Sequence, residues 1–403
     1  MWLSLALAAR PDLPNVLVED GYAVHYDDPA GGDEDGDGVP DMVDRVLEGL
    51  RGGEEAFREA GYREVEPDEG RGGTEELDVY LVPLDSNGQA SSVALGGPHF
   101  SCYIELEEDL GGIGGLTVES VATHELHHCV QYAYARDAGW LHEAGATLEQ
   151  YRTFSDDGLV LAVGLLWMER LGGADRPLNS RSGRFDYAGF VFLHFWEEYG
   201  GSQTELWEAL RVADSWEEAL EAEAERIWGF SLDELLLEYA TWNAFACDRD
   251  DGQHYPDEGP LACTVEASVE VGQEPIEAEL ERWSAAYFEL PAEEERPLRL
   301  RCDTVLGLKL VALDADGVAG EERGGWTDLR RLQSPLDPDG SVLVVLSSGS
   351  EGARVSCSVT RVEPVVEGCG CGGGFAPGGL VLVLCAAAAA RLRADQSVEN
   401  TKG

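Results

Sequence analysis

One segment, Val121-Ala-Thr-His124-Glu125-Leu-His127-His128, restricts this chain more than any other. Two histidines four positions apart come within reach of one ligand only on an α-helix, where i and i+4 share a face. The flanking positions Val121, Ala122, Leu126 and Val130 are apolar, so that helix must be partly buried. Its pattern predicts a helix from about Thr117 to about Tyr134, with Thr117 as N-cap and Ser120 as the alternative. A chain of 403 residues is long enough to supply the covering core and a second domain.

His-Glu-x-x-His on a helix is a zinc pattern. His124 and His128 would chelate through imidazole nitrogen. Glu125, about 100° further round the helix, would reach a metal-bound water as general base. The zinc would lower the pKa of that water and polarise a scissile carbonyl. A metzincin needs Gly at 131 and His at 134; this chain has Gln131 and Tyr134, which excludes that class. The third ligand is expected from the next helix, opened by Trp140-Leu-His-Glu143-Ala-Gly-Ala. Glu143 is the first choice, Glu149 the second and His142 the third. His127 lies off the chelating face, as a core or supporting residue. Tyr187 and His194 are candidate donors to a tetrahedral oxyanion, or core residues of an apolar helix. Arg181 and Arg184 could bind a substrate carboxylate, or simply be solvated.

A second motif spans Asp33-Glu-Asp35-Gly-Asp37-Gly38-Val39-Pro-Asp41-Met-Val-Asp44. Its oxygens fall at positions 1, 3, 5, 9 and 12 of a calcium loop, with Gly38 at the sharp turn and the Val39 carbonyl at position 7. Asp44 replaces the usual final Glu. The expected role is structural, fixing the entry of a helix over 39–60 that a Gly-Gly pair interrupts.

The chain has 28 Lys+Arg against 78 Asp+Glu, a net charge of −50. Phosphate binding needs a basic footprint, so this charge argues against nucleic acid and anionic membrane surfaces as partners. Residues 22–26, 77–83 and 100–106 read as strands, and 143–155, 158–171, 186–199, 203–212, 215–227 and 231–246 as helices. After about 264 short β-branched or alternating runs take over: 263–271, 298–302, 306–313, 342–346 and 353–359. They predict a β-sandwich. Six of the nine cysteines fall into three sets of two, which suits an oxidising compartment. Proximity and domain logic suggest Cys102–Cys129, Cys247–Cys263 and Cys302–Cys357; buried free thiols are the alternative. Met1–Ala9 reads as the end of a truncated secretory signal. The apolar run Leu380–Ala390 is about half of a ~20-residue membrane span and ends in Arg391 and Arg393.

In this order, the H-Y strand, the D-x-D-G-D-G-V-P-D loop, L-D-V-Y-L-V, H-E-L-H-H-C-V-Q, W-L-H-E-A-G-A and Tyr187-Ala-Gly-Phe resemble a family of secreted metalloproteases of myxobacteria. The resemblance covers roughly residues 20–245. It implies a gluzincin-like site with His124, His128 and Glu143 on zinc and Glu125 as base. Many relatives read E-G-T-A where this chain has Glu143-Ala-Gly-Ala. The tail is similar to a sorting signal of the same bacteria, which implies processing and anchoring at Cys369 or Cys371.

The expected whole is α+β. Residues 1–9 would be signal and 10–255 a zincin-like metallopeptidase domain with a small mixed sheet, an active-site helix and a helical second half. Residues 262–362 would be a β-sandwich accessory domain, and 363–403 a Gly/Cys-rich sorting and membrane-anchor tail. The expected function is a secreted zinc metalloendopeptidase, stabilised by calcium, held at the cell surface or outer membrane and monomeric, with protein or peptide as substrate. The alternative is a non-catalytic surface binding or adhesion protein on the same scaffold.

Overall fold

The computed structural model describes residues 10–27, 32–96, 99–110, 116–154, 157–246, 252, 254–255, 269–271, 275–291, 298–313, 319–326, 332–333 and 341–361. The strands β1 (Asn15–Glu19) and β2 (Tyr22–Tyr26) form a tight antiparallel hairpin, and the helix α1 (Asp41–Ala60) lies between β2 and the parallel strand β3 (Leu77–Val82). The strands β4 (Gly88–Gly96) and β5 (His99–Glu107) form a hairpin that completes a sheet of order β1-β2-β3-β5-β4. Pairing is parallel between β2, β3 and β5 and antiparallel at both edges. One face of this sheet covers α1 and α2 (Val118–Tyr132): Val24, Val79, Ile104 and Leu106 share a core with Val43, Leu47, Leu50, Val121 and Leu126.

On the other face of the sheet, Asp78 is fully buried. An isolated carboxylate could not be ionised there without partners. It is paired with the Arg10 guanidinium and with His25 Nε2 at 2.8 Å, while Arg10 also reaches Asp68 at 2.6 Å. A side chain at Gly72 would overlap the Asp78 carboxylate, so the loop can lie over it only as glycine.

The Gly-Gly pair does not interrupt the first helix, which runs unbroken from Asp41 to Ala60. Its glycines serve packing instead. A Cβ at Gly49 would collide with the Glu119 backbone, and one at Gly53 would meet Thr123 and Leu126 at 3.2–3.3 Å. The two helices therefore approach at backbone distance, and Thr123 Oγ1 donates to the Gly49 carbonyl at 2.8 Å. That close packing outweighs the low helix propensity of glycine.

A helical half follows: α3 (Leu141–Thr153), α4 (Asp157–Gly172), a 3-10 turn at Tyr187–Gly189, α5 (Phe190–Glu198), α6 (Gln203–Leu210), α7 (Trp216–Trp228) and α8 (Leu232–Asn243). Serines at 202, 215 and 231 cap the last three, each accepting from a backbone N–H three residues on. Their core is aromatic, with Trp140, Trp167, Phe190, Phe192, Phe195, Trp196 and Trp207 fully buried.

The C-terminal strands are β6 (Val269–Val271), β7 (Ile276–Leu280), β8 (Ala285–Pro291), β9 (Leu298–Cys302), β10 (Gly307–Leu313), β11 (Ala319–Trp326), β12 (Leu332–Gln333), β13 (Ser341–Ser347) and β14 (Ala353–Arg361). They form two sheets, β11-β10-β13-β8-β6 and β12-β9-β14-β7. Phe288, Leu290, Leu308, Leu310, Val342, Val344 and Leu346 from one pack against Ile276, Leu280, Leu300, Val355 and Cys357 from the other. The first sheet is buried on both faces, because Tyr287, Val311, Leu343 and Val345 pack on Leu237, Ala240 and Phe245 of the α8 region. This explains why β13 reads as a continuous apolar run rather than an alternating one, and β10 does so except at Lys309, whose buried ammonium is held by Glu238 and Glu322 at 2.7 and 2.9 Å.

Disulfides join Cys102 to Cys129, stapling β5 to α2, and Cys302 to Cys357 across β9 and β14. The pair assigned to Cys247 and Cys263, the N-terminal signal over 1–9, and the tail with Cys369 and Cys371 lie outside the described residues. Among the described residues, no helix is long and apolar enough to cross a membrane.

Candidate metal centre

The second helix begins at Thr117 with a reciprocal cap: Ser120 N–H donates to Thr117 Oγ1 and Thr117 N–H to Ser120 Oγ, both at 3.2 Å. Ser120 through Gln131 are all buried. The histidines, Glu125 and Gln131 are thus polar groups inside a core, where each polar atom calls for a partner.

His124, His128 and Glu143 converge. Their donor atoms lie within 4.8 Å of one another. Glu143 Oε2 stands 3.3 Å from His124 Nε2 and 3.5 Å from His128 Nε2. The outer nitrogens are held from behind. Gln131 Oε1 faces His128 Nδ1 at 2.8 Å and His142 Nδ1 at 2.9 Å, while Gln131 Nε2 donates to the His142 carbonyl at 2.9 Å. That last bond fixes which way the amide points, so its oxygen accepts from both rings. His124 Nδ1 faces Gln150 Oε1 at 3.2 Å, and Gln150 Nε2 reaches Ser120 Oγ at 3.4 Å, in the helix cap. Both Nδ1 atoms therefore carry the proton, and both Nε2 atoms turn toward Glu143. A His2Glu set with both imidazoles buried and oriented by outer acceptors, and Glu143 half-buried, has the donor chemistry of a divalent transition-metal site.

Burial works against charge on Glu143, but hydrogen bonds from His124 and His128 outweigh it and hold the carboxyl well below its usual range. Burial likewise opposes charge on His128, but Glu143 and Glu125 raise it to about 9. A shared proton and a bound dication are alternative ways to satisfy these three donors. Glu125 is buried and its carboxyl is pushed up by burial, partly offset by the two histidines and by the Ala90 N–H of β4. Gly88 lets that edge strand come in, since a Cβ there would meet the Glu125 side chain at 2.9 Å. Tyr132 donates to the Ala90 carbonyl at 3.2 Å, so α2 holds β4 from both backbone groups.

Tyr187, on the 3-10 turn, lies stacked beside His124 with ring centroids 5.9 Å apart. Burial, with the Glu143 and Glu125 charges, keeps its phenol well above the usual value, so it stays a hydrogen-bond donor. His194 does not accompany it; it packs on Trp167 and Tyr255 at 5.6 and 5.8 Å. The other ligand choices point elsewhere. Glu149 takes hydrogen bonds from Tyr62 and Gln203, and an ion pair from Arg152, in a separate buried cluster. His142 is lowered by burial to about 3 and rests on Gln131. His127 is fully buried among Phe57, Tyr62 and Trp207.

In the acidic loop, Asp33, Asp35 and Asp37 form a second cluster within 4.8 Å. Gly36 and Gly38, at φ 77° and 91°, wrap the loop so that their N–H groups donate to Asp33 at 2.7 and 3.0 Å. Val39 N–H turns inward to Asp37 Oδ1 at 2.8 Å. Asp41 and Asp44 stand outside this cluster. The Asp41 carboxylate accepts the Glu34 N–H at 3.1 Å, and Asp44 lies in the first turn of α1, its carboxyl raised by burial and by the Asp37 and Asp35 charges.

Sequence reasoning missed β4, Gln150 and the role of Gln131, which counted there only against one zinc class. The signal for Gln131 was its position three after His128, one turn along the same face. A cavity of about 380 Å³ lies apart from the triad, lined by Tyr22, Phe57, Tyr62, Leu126 and Ser101 among others.

No protein-family model matches this chain, and no curated protein matches it. Chains of solved structures do match in part. One is the crystal structure of Aeromonas hydrophila PliG, a periplasmic lysozyme inhibitor of g-type lysozyme, at 10% identity and a TM-score of 0.19. The match covers 24% of this chain and 96% of that one. A likeness of this size carries no argument about fold or function.

Proposed function

We propose that this chain is a secreted zinc metallopeptidase with a zincin-like catalytic half, similar to the myxobacterial family that its motifs resemble. The observation that carries the reading is the convergence of His124, His128 and Glu143, with Glu125 buried beside them under an edge strand. His124, His128 and Glu143 would hold the zinc, which supplies an activated water and a Lewis acid. Glu125 would take the proton of the attacking water and pass it to the leaving amine. Tyr187, a neutral donor beside His124, would stabilise the oxyanion. β4 has no strand on its outer edge among the described residues, and a peptide added there would compete with Glu125 and Tyr132 for the Ala90 backbone groups.

Asp33, Asp35 and Asp37, with the Val39 carbonyl, would hold calcium, and Asp41 and Asp44 would join by small side-chain turns. The two disulfides favour an oxidising, extracellular setting. Surface anchoring through the tail is part of the same proposal. The purified full chain should carry one zinc by elemental analysis. It should hydrolyse unfolded casein, lose that activity to a chelator, and regain it with zinc but not with calcium alone. A chain without zinc would sink the reading and leave a calcium-binding surface protein.

Gln131 offers a sharper check on the metal. Gln131→Leu removes the acceptor behind His128 and frees its ring to turn. Zinc affinity, measured by competition with a coloured chelator, should fall by about 10–100-fold. An unchanged affinity would mean that the amide contributes only to packing.

A further inference from the structure

The loop between α4 and the 3-10 turn carries Arg181 and Arg184 on a protein with 78 acidic and 28 basic residues. It is pinned on both sides. Leu178 is fully buried and donates its N–H to the Trp283 carbonyl at 3.1 Å. Phe185 is fully buried, with the Arg170 and Arg176 guanidinium groups over its ring at 4.7 and 5.0 Å. Between these anchors Gly183 turns the backbone at φ 71°, and Arg181 and Arg184 are left exposed. Asp186 then accepts the Tyr187 N–H at 3.2 Å, and Tyr187 stacks beside His124. A short, fixed path thus connects the two arginines to the metal triad.

Neither arginine is well neutralised. Arg181 is 66% exposed, and its Nε is 3.9 Å from Asp186 Oδ2, the far limit of an ion pair. Arg184 pairs with no carboxylate among the described residues. Burial and the Glu143 charge together raise the Asp186 carboxyl, which places Asp186 within the field of the triad. A cation in surroundings rich in carboxylates repels a basic substrate that those carboxylates attract, and attracts an acidic one locally.

We propose that Arg181 makes the site select peptides with a carboxylate close to the scissile bond, with Arg184 as the neighbouring cation. The carboxylate would come from an Asp or Glu side chain or from a free C-terminus. The substrate's being cleaved rests on the peptidase reading above; its recognition does not.

The test uses the full chain and matched fluorescent peptides: Glu against Gln at each position flanking the bond, and free against amidated C-termini. Hydrolysis is followed with the unaltered chain. Binding is followed by anisotropy with Glu125→Gln, with and without added zinc. The acidic member should be favoured about fivefold, and less as salt rises. Arg181→Gln should remove that preference while leaving the Gln peptide unaffected, and Arg181→Glu should favour a Lys peptide instead. The free and amidated pair identifies which carboxylate is read. Absence of any acid preference, or one that survives in Arg181→Gln, overturns the proposal. Acid-selective binding that depends on Arg181, without cleavage of any peptide, would keep the proposal and remove the peptidase reading. Cleavage without acid preference would do the reverse, and neither binding nor cleavage would end both.

Discussion

Glu125→Gln should leave one zinc bound per chain and lower peptide hydrolysis by about 10²–10⁴-fold. The substitution keeps the volume and the hydrogen bond from Ala90, so the fold and the edge strand stay in place. It removes a buried carboxylate beside the triad that is not itself a ligand candidate. An amide cannot accept the proton of a metal-bound water, and that is the function assigned to Glu125. The contrasting variant is Glu143→Ala. It takes away one of three donors that now lie within 4.8 Å of one another, and it should weaken zinc itself. Metal content and casein hydrolysis, read on both variants, separate the roles. Turnover that persists in Glu125→Gln would remove the base from the mechanism; zinc that persists unchanged in Glu143→Ala would remove the ligand.

The second large effect concerns stability. Replacing Cys102 and Cys129 together by Ala should cost about 3–4 kcal/mol, from the loop-closure entropy of two cysteines 27 positions apart. The bridge is buried, and it joins the strand β5 to the helix that carries the candidate ligands. Cys129 follows His128 directly, so the same variant should also bind zinc less tightly. Denaturant unfolding of the double variant, with Cys302–Cys357 left intact, isolates this staple in a way that a reductant cannot. A change below about 1 kcal/mol would show that packing between β5 and α2 suffices without it.

Local patterns made much of this protein legible. The helical period and the Thr117 cap located α2 to within two residues, because caps and amphipathic spacing are short-range signals. The run 77–83 and the alternation over 100–106 located β3 and β5 for the same reason. The two glycines in α1 misled. Gly52-Gly53 looks like a break, since glycine disfavours a helix, but Gly53 is where α2 comes close. No local rule contains that neighbour. The strand β4 escaped notice because Gly88-Gln-Ala-Ser-Ser-Val-Ala is small and weakly apolar. Those small residues are what allow it to lie against Glu125.

The residues that could bind metal were therefore written in the sequence, as a spacing that only a helix makes useful. Sequence left Glu143, Glu149 and His142 open as the third partner. All three stand on one helix, and their spacing cannot say which way that helix faces. Packing decided it: Gly145 presses against His127 and Gln131, Glu149 turns to Tyr62 and Arg152, and Glu143 is brought onto His124 and His128. The proton positions on both rings were decided in the same way, by amides 3 and 26 residues distant. A chain specifies through near neighbours which groups it owns; only the tertiary fold, through contacts distant in sequence, sets which of them meet.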